Sequence, residues 1–212
     1  MSTTGRNSTV TVEVFQYEDL TDEAKEVARE QERETLWQDP DTLTENIQWE
    51  IHKTLVYRFT GEPYYGWGDK NEKAILADLD IEFSLSHNQG DGVAFYGIIR
   101  RDVAPLLPWP ENADYVQLTR VAGLSNFYSH YNTFHVDVFD EGDHYLDEDE
   151  EVEEFLRDLS RECERNGYQA IDDTLSDENI ADSLTSVYGG EYRYLEDGRL
   201  APIAHWRDAD TV

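Results

Sequence analysis

Three histidines and three aspartates crowd into the fifteen residues that end at His144: His130, His135 and His144, with Asp137, Asp140 and Asp143. Imidazole nitrogens and carboxylate oxygens at such density are the ligands a divalent metal takes, and a small metal-dependent hydrolase is the chemistry they would serve. The spacing argues against a shared ion. His130 and His135 differ by an odd number, so on a regular strand they face opposite sides. Only a bulge or a neighbouring strand would bring them together. The stretch also lacks the Asp-x-Asp-x-Asp-Gly spacing of a calcium loop. No specific metal site and no cofactor are expected; the acids attract Ca²⁺ or Na⁺ only diffusely.

Other catalytic patterns are equally thin. Cys163 falls on the apolar stripe of a helical segment, where a buried structural thiol is the default. No Gly-x-Ser-x-Gly elbow and no Walker-type loop is present. "HNQGDGVAFYG", His87 to Gly97, concentrates three glycines and one acid. Its "QGDG" lacks the Lys or Ser/Thr of a phosphate cradle, and its Asp91 would repel phosphate. The stretch reads as a hairpin corner, with Gly90 and Gly92 supplying positive φ and Asp91 bonding its own turn. The other reading is a binding tip that uses Gln89 and Asp91. No catalytic residue is expected, and the protein is read as a non-enzyme.

Charge is the stronger signal. Forty-seven acids face seventeen bases, a formal charge of −30. Such a surface repels nucleic acid and anionic membranes and attracts cations and basic proteins. Four Lys against thirteen Arg fits a salt-adapted proteome. A sharper reading is mimicry, because duplex DNA carries a charge about every 1.7 Å and an acid-rich helix approaches that density. From Glu141 to Arg165 twelve acids meet three arginines. The candidate partner-binding residues are Asp143, Asp147, Glu148, Asp149, Glu150, Glu151, Glu153 and Glu154. Glu26, Glu30 and Glu34 join them from the acidic segment 18–34.

Several elements must position these residues. "VTVEVFQY" alternates like a strand, and "EDLTDEAKEVAREQERETLW" is a helix with Thr21 as N-cap that Pro40 ends. Capped by Asp41 or Thr42, the next helix repeats Leu43, Ile47, Ile51, Leu55 and Phe59 every four residues. "TGEPYYGWGDKNEK" is a connection whose Tyr64, Tyr65, Gly66 and Trp67 either fold down onto the sheet or form an aromatic contact surface. "LDIEFSLS" and "VAFYGIIR" alternate as strands. After a proline segment at 105–110, residues 114–122 read as a helix ended by Gly123. "NFYSHYNTFHVDVFD" reads as one long strand. An acidic loop then becomes a helix with Val152, Phe155, Leu156, Leu159 and Cys163 inward. A last helix, capped by Ser176 or Asp177, carries Ile180, Leu184 and Val187 inward. A hairpin around Asp197-Gly198 follows.

These elements define an α+β fold: a flexible tail at 1–9, then a single domain over 10–212. In it an antiparallel sheet of about four to six strands packs against helices. Aromatics at 12% supply a real core despite 39% apolar residues. No segment has the length of apolar run that spans a membrane, and the N-terminus lacks an apolar signal core. The single cysteine excludes an internal disulfide and fits a reducing compartment.

Three stretches carry a resemblance. "LTDEAKEVARE" resembles the "LSDEAKEKA" opening of many small proteins of tailed phages and prophages. "LDIEFSLSHNQGDGVAFYG" resembles their central "hFSGFxSQGDGAxFxG" signature. "DENIADSLTSVYGGEYRYLEDGRLAP" resembles their closing helix and "YxFxxDGxx" strand. Some of those proteins are labelled antitoxins, and the family supplies no catalytic residues to transfer. The resemblance implies a viral accessory protein acting in the host cytoplasm. Together with the charge, it gives the expectation of a non-enzymatic protein that binds a host protein with a basic surface, such as a defence nuclease or CRISPR effector. It would bind neither nucleic acid directly nor a membrane. The alternative expectation is a virion structural or assembly protein of a virus of a halophilic host.

Overall fold

The computed structural model describes residues 12–86, 91–122, 129–147, 150–186 and 192–201. The expected tail and the expected Gly123 stop lie outside them, as do Gln89, Glu148, Asp149 and Val187. In chain order the elements are a 3₁₀ turn Tyr17–Asp19, α1 Asp22–Gln38, α2 Pro40–Thr60, α3 Lys70–Ile75, β1 Leu79–Ser84, β2 Gly92–Arg100, β3 Tyr115–Arg120, β4 Phe134–Phe139, β5 Tyr145–Leu146, α4 Glu150–Thr174 and α5 Asp177–Thr185. The fold is α+β with one five-stranded antiparallel sheet in the order β1-β2-β3-β4-β5. The chain forms two compact units, Asp41–Asp172 and Met1–Pro40 with Asp173–Val212.

The larger unit contains the whole sheet, a meander in which each strand pairs with the next. Register places Ile81 opposite Phe95, Ile99 opposite Val116, and Val116 opposite Val138. These residues share one face. Phe95, Ile99, Val116, Leu118, Phe134, Val136 and Val138 on it are essentially inaccessible to water. Each such side chain contributes about 1.5–3 kcal/mol by leaving water. In α4 the residues Val152, Leu156, Leu159 and Cys163 are buried at helical spacing. Ser160 bonds its hydroxyl to the Val93 carbonyl, fixing α4 on β2. Asn166 donates to Thr54 Oγ1 at 2.8 Å, and Phe155 stacks on Phe59 at 6.4 Å, joining α4 to α2.

In the smaller unit, Tyr17, Leu20, Ala24, Ala28, Ile180, Leu184 and Tyr194 form the core. Thr21 caps α1 by accepting from Ala24 N at 3.3 Å, and Ser176 caps α5 by accepting from Asn179 N. The expected turn at Asp197-Gly198 is present: Gly198 has φ +85° and its N–H reaches the Leu195 carbonyl.

Several expected elements are corrected. Residues 114–122 are not helical: Tyr115–Arg120 is a strand, because Val116 and Leu118 alternate into the core between two hydrogen-bonded neighbours. The N-terminal strand reduces to one bridge, Phe15 to Tyr194, with Val12 and Val14 exposed. α1 ends at Gln38, just before Pro40 as expected, but Pro40 itself opens α2, ahead of the expected Asp41 or Thr42 cap, since the first helical position needs no N–H. Among the described residues of the expected long strand only Phe134–Phe139 is extended: Thr133 N–H and hydroxyl both return to the His130 carbonyl and turn the chain. The glycine-rich connection contains α3, capped by Asp69, and the acidic loop contains β5. The last long helix continues through Gly167 to Thr174.

Gly97 has φ +114°, and a Cβ there would lie 2.2 Å from the Asp78 carbonyl oxygen on the neighbouring chain segment. Gly97→Ala is therefore expected to destabilise the protein by at least about 2 kcal/mol, measured by urea unfolding.

Candidate functional site

The most constructed feature of the larger unit is a turn between α2 and α3, assembled around one buried carboxylate. Glu72, on the first turn of α3, is 6% exposed. Its Oε1 accepts from His52 Nδ1 at 2.7 Å and from Tyr64 Oη at 3.0 Å. Its Oε2 accepts from Gly68 N at 2.6 Å. Burial alone would raise this carboxyl's pKa, but the donors outweigh burial and hold it below the ordinary value. The same burial and the Glu72 bond push the Tyr64 phenol well up.

Rings close around this centre. Trp49 meets Tyr64 edge-on at 4.9 Å and Trp67 at 5.9 Å, while His52 meets Trp67 at 5.1 Å. Gly66 and Gly68 take φ +119° and +86°, and a Cβ on Gly66 would lie 3.5 Å from the Trp49 ring. The turn is fixed from four sides, yet Trp67 stays 53% exposed and Tyr65 80% exposed. The aromatic bunch was visible in the sequence; its docking on α2 and the role of Glu72 were not.

The "QGDG" stretch is more structural. Among its described residues, Asp91 accepts through Oδ1 from the Ser84 hydroxyl at 2.8 Å. Through Oδ2 it accepts from Ser86 N at 2.7 Å and the Ser86 hydroxyl at 3.0 Å. Both carboxylate oxygens thus tie the β1–β2 connection to the end of β1.

The His/Asp segment separates into local turns. Asp140 Oδ1 accepts from the backbone N–H groups of Gly142 and His144, with His144 Nδ1 3.1 Å away. These bonds hold the Asp140 carboxyl below its usual value. Asp143, at φ +59°, receives the Tyr115 hydroxyl at 2.9 Å. Among the described residues His135 lies beside Asp137, at 3.3 Å. His130 accepts from Asn132 N, and burial lowers its pKa. Among the described residues no group of three such ligands could hold a metal ion. Burial pushes the Cys163 thiol well up, which keeps it protonated.

The acidic candidates divide by pairing. On α1, Glu26 pairs with Arg29 and Glu30 with Arg33, while Glu34 is exposed. On α4, Glu153 pairs with Arg157. Asp147, Glu150, Glu151 and Glu154 are exposed and make no ion pair among the described residues. An open cleft of about 570 Å³ runs past Arg100, Arg101, Tyr115 and Asp143. Its arginines are already engaged: Arg100 with Asp78, and Arg101 with the Ala113 carbonyl at 2.8 Å. Among the described residues no helix is long and apolar enough to cross a membrane.

Glu72→Ala strands three donors and is expected to cost about 3 kcal/mol at neutral pH. Because the folded-state pKa is lowered, this contribution is complete above the ordinary Glu range and is lost as pH falls through the lowered value. The stability gap between wild type and variant should therefore narrow on acidification, read by denaturant titration from about pH 7 to pH 3. Asp91→Ala should cost about 1–3 kcal/mol in the same measurement.

Comparison with protein-family models, with curated proteins and with solved structures finds no match.

Proposed function

We propose that this chain is a non-enzymatic phage accessory protein that binds a host protein through an acidic face. The target is a nucleic-acid-handling protein with a basic groove, such as a defence nuclease or CRISPR effector, and the encounter takes place in the host cytoplasm. One observation carries the reading: the unequal pairing of the carboxylates. Of the α1 candidates, Glu26 and Glu30 are held by that helix's own arginines, whereas Glu150, Glu151 and Glu154 at the start of α4 are exposed and make no ion pair among the described residues. A basic surface can engage them without breaking an internal ion pair.

Their spacing suits the role. Helical rise sets residues about 1.5 Å apart along the axis, close to the spacing of about 1.7 Å between charges on duplex DNA. The α4 N-terminus also tolerates this acid density, because the helix dipole favours negative charge there. The resemblance of "QGDGVAFYG" and its flanking stretches to phage proteins supplies the biological setting.

A pull-down from host lysate at low and high salt tests this reading. Affinity should fall about tenfold or more between roughly 50 and 200 mM salt. The triple variant Glu150→Gln, Glu151→Gln, Glu154→Gln should remove most binding, with only a modest fall in the unfolding midpoint as the start of α4 loses charges that the helix dipole favours. An affinity that stays flat across the titration overturns mimicry. Stoichiometric recovery of the chain in purified virions instead supports the virion reading, in which the acidity reflects salt adaptation.

A further inference from the structure

We propose that the turn bearing Tyr65 and Trp67 is a homodimer contact, pairing with the same turn on a second copy of the chain. The first observation is preorganisation. Glu72, His52, Tyr64 and Trp49 fix the turn's backbone and the inner edge of Trp67, yet Tyr65 and the outer part of Trp67 face solvent. A half-exposed Trp held by neighbouring rings loses little conformational entropy on contact, and Trp and Tyr are the usual anchors of protein interfaces.

The second observation is charge, and it selects the occupant. Residues 50–73 hold four acids and four bases, so this segment is neutral in a chain of charge −30. Three of the four lysines in the sequence, Lys53, Lys70 and Lys73, lie in it. Lys70 and Lys73 are exposed and make no ion pair among the described residues, and Lys73 Nζ lies 3.3 Å from where a Gly68 Cβ would sit. Exposed Glu62 lies within the same segment. Here two copies can approach with opposite charges available on both sides, Lys70 and Lys73 of one facing Glu62 of the other. A two-fold contact needs such a self-complementary patch, since residue i meets residue j and j meets i. A basic partner would be opposed by the lysines. A polyanion would be opposed by the rest of the chain.

The contact has a distinctive salt dependence. Screening removes long-range repulsion between two copies of charge −30 but leaves aromatic burial intact, so dimerisation strengthens as salt rises. Binding of a basic host protein moves in the opposite direction, so failure of one reading is separable from failure of the other.

Sedimentation velocity on the full chain at about 50 µM, from roughly 0.1 to 2 M NaCl, tests the proposal. The expected result is a shift from one to two chain masses with rising salt. Tyr65→Glu with Lys70→Glu alters only exposed side chains and should hold the chain monomeric with unchanged circular dichroism. Trp67→Ala should do the same, although it also loses the Trp49 and His52 contacts, so the double variant decides. A wild type monomeric at every salt concentration overturns the proposal. So does a dimer that survives the double variant, including one lost only in Trp67→Ala.

Discussion

The constraint on which the rest of this structure depends is that its carboxylates must remain in water. Among the described acids only Glu72 is buried, and it is held by three hydrogen bonds. An unpaired ionised carboxylate in the core would cost several kcal/mol, a large part of a domain's net stability. The core therefore rests on strict alternation, with Val116, Leu118, Val136 and Val138 inward and Gln117, Thr119, His135 and Asp137 outward. The small number of apolar residues suffices because nearly all inward positions on these strands carry one.

The same constraint gives three of the arginines a double task. Arg58 lies over Phe155 at 4.7 Å while pairing with Glu162, and Arg120 lies over Tyr96 at 4.3 Å while pairing with Glu82. Arg161 lies over Tyr131 while pairing with Asp158. Each guanidinium stacks through its plane and binds a carboxylate through its edge, a pair of tasks an ammonium cannot perform together. At these three positions arginine has a structural role that lysine could not fill.

What could be read from the sequence follows from how local each signal is. The four-residue repeat Ile47, Ile51, Leu55, Phe59 requires no partner to be recognised, and all four are buried. The Thr21 cap and the Asp197-Gly198 turn are likewise decided within a few residues. β3 is different. "YVQLTR" is too short to show its period, and a downstream glycine imitates a helix stop; pairing with β2 and β4 decides it. Glu72 was illegible for the same reason. Its burial depends on a histidine twenty residues earlier, and an acid on a six-residue helix reads as solvent-facing. The acidic run from Glu141 was plain in the sequence, but which acids already have arginine partners became visible only in three dimensions.

The "QGDGVAFYG" signature can now be explained by packing over its described part. Asp91 closes the strand connection through Ser84 and Ser86. Gly92 passes the chain segment at Ser129 so closely that a Cβ would lie 2.9 Å from that carbonyl oxygen. Val93, Ala94 and Phe95 are completely buried, and Gly97 clears the Asp78 carbonyl. Each position is fixed by a backbone approach, a turn bond or a core contact, and none of these requires a ligand. A motif of this kind marks a fold. The charged and aromatic surface therefore lies outside this stretch, in the carboxylates of α4 and the exposed Tyr65 and Trp67.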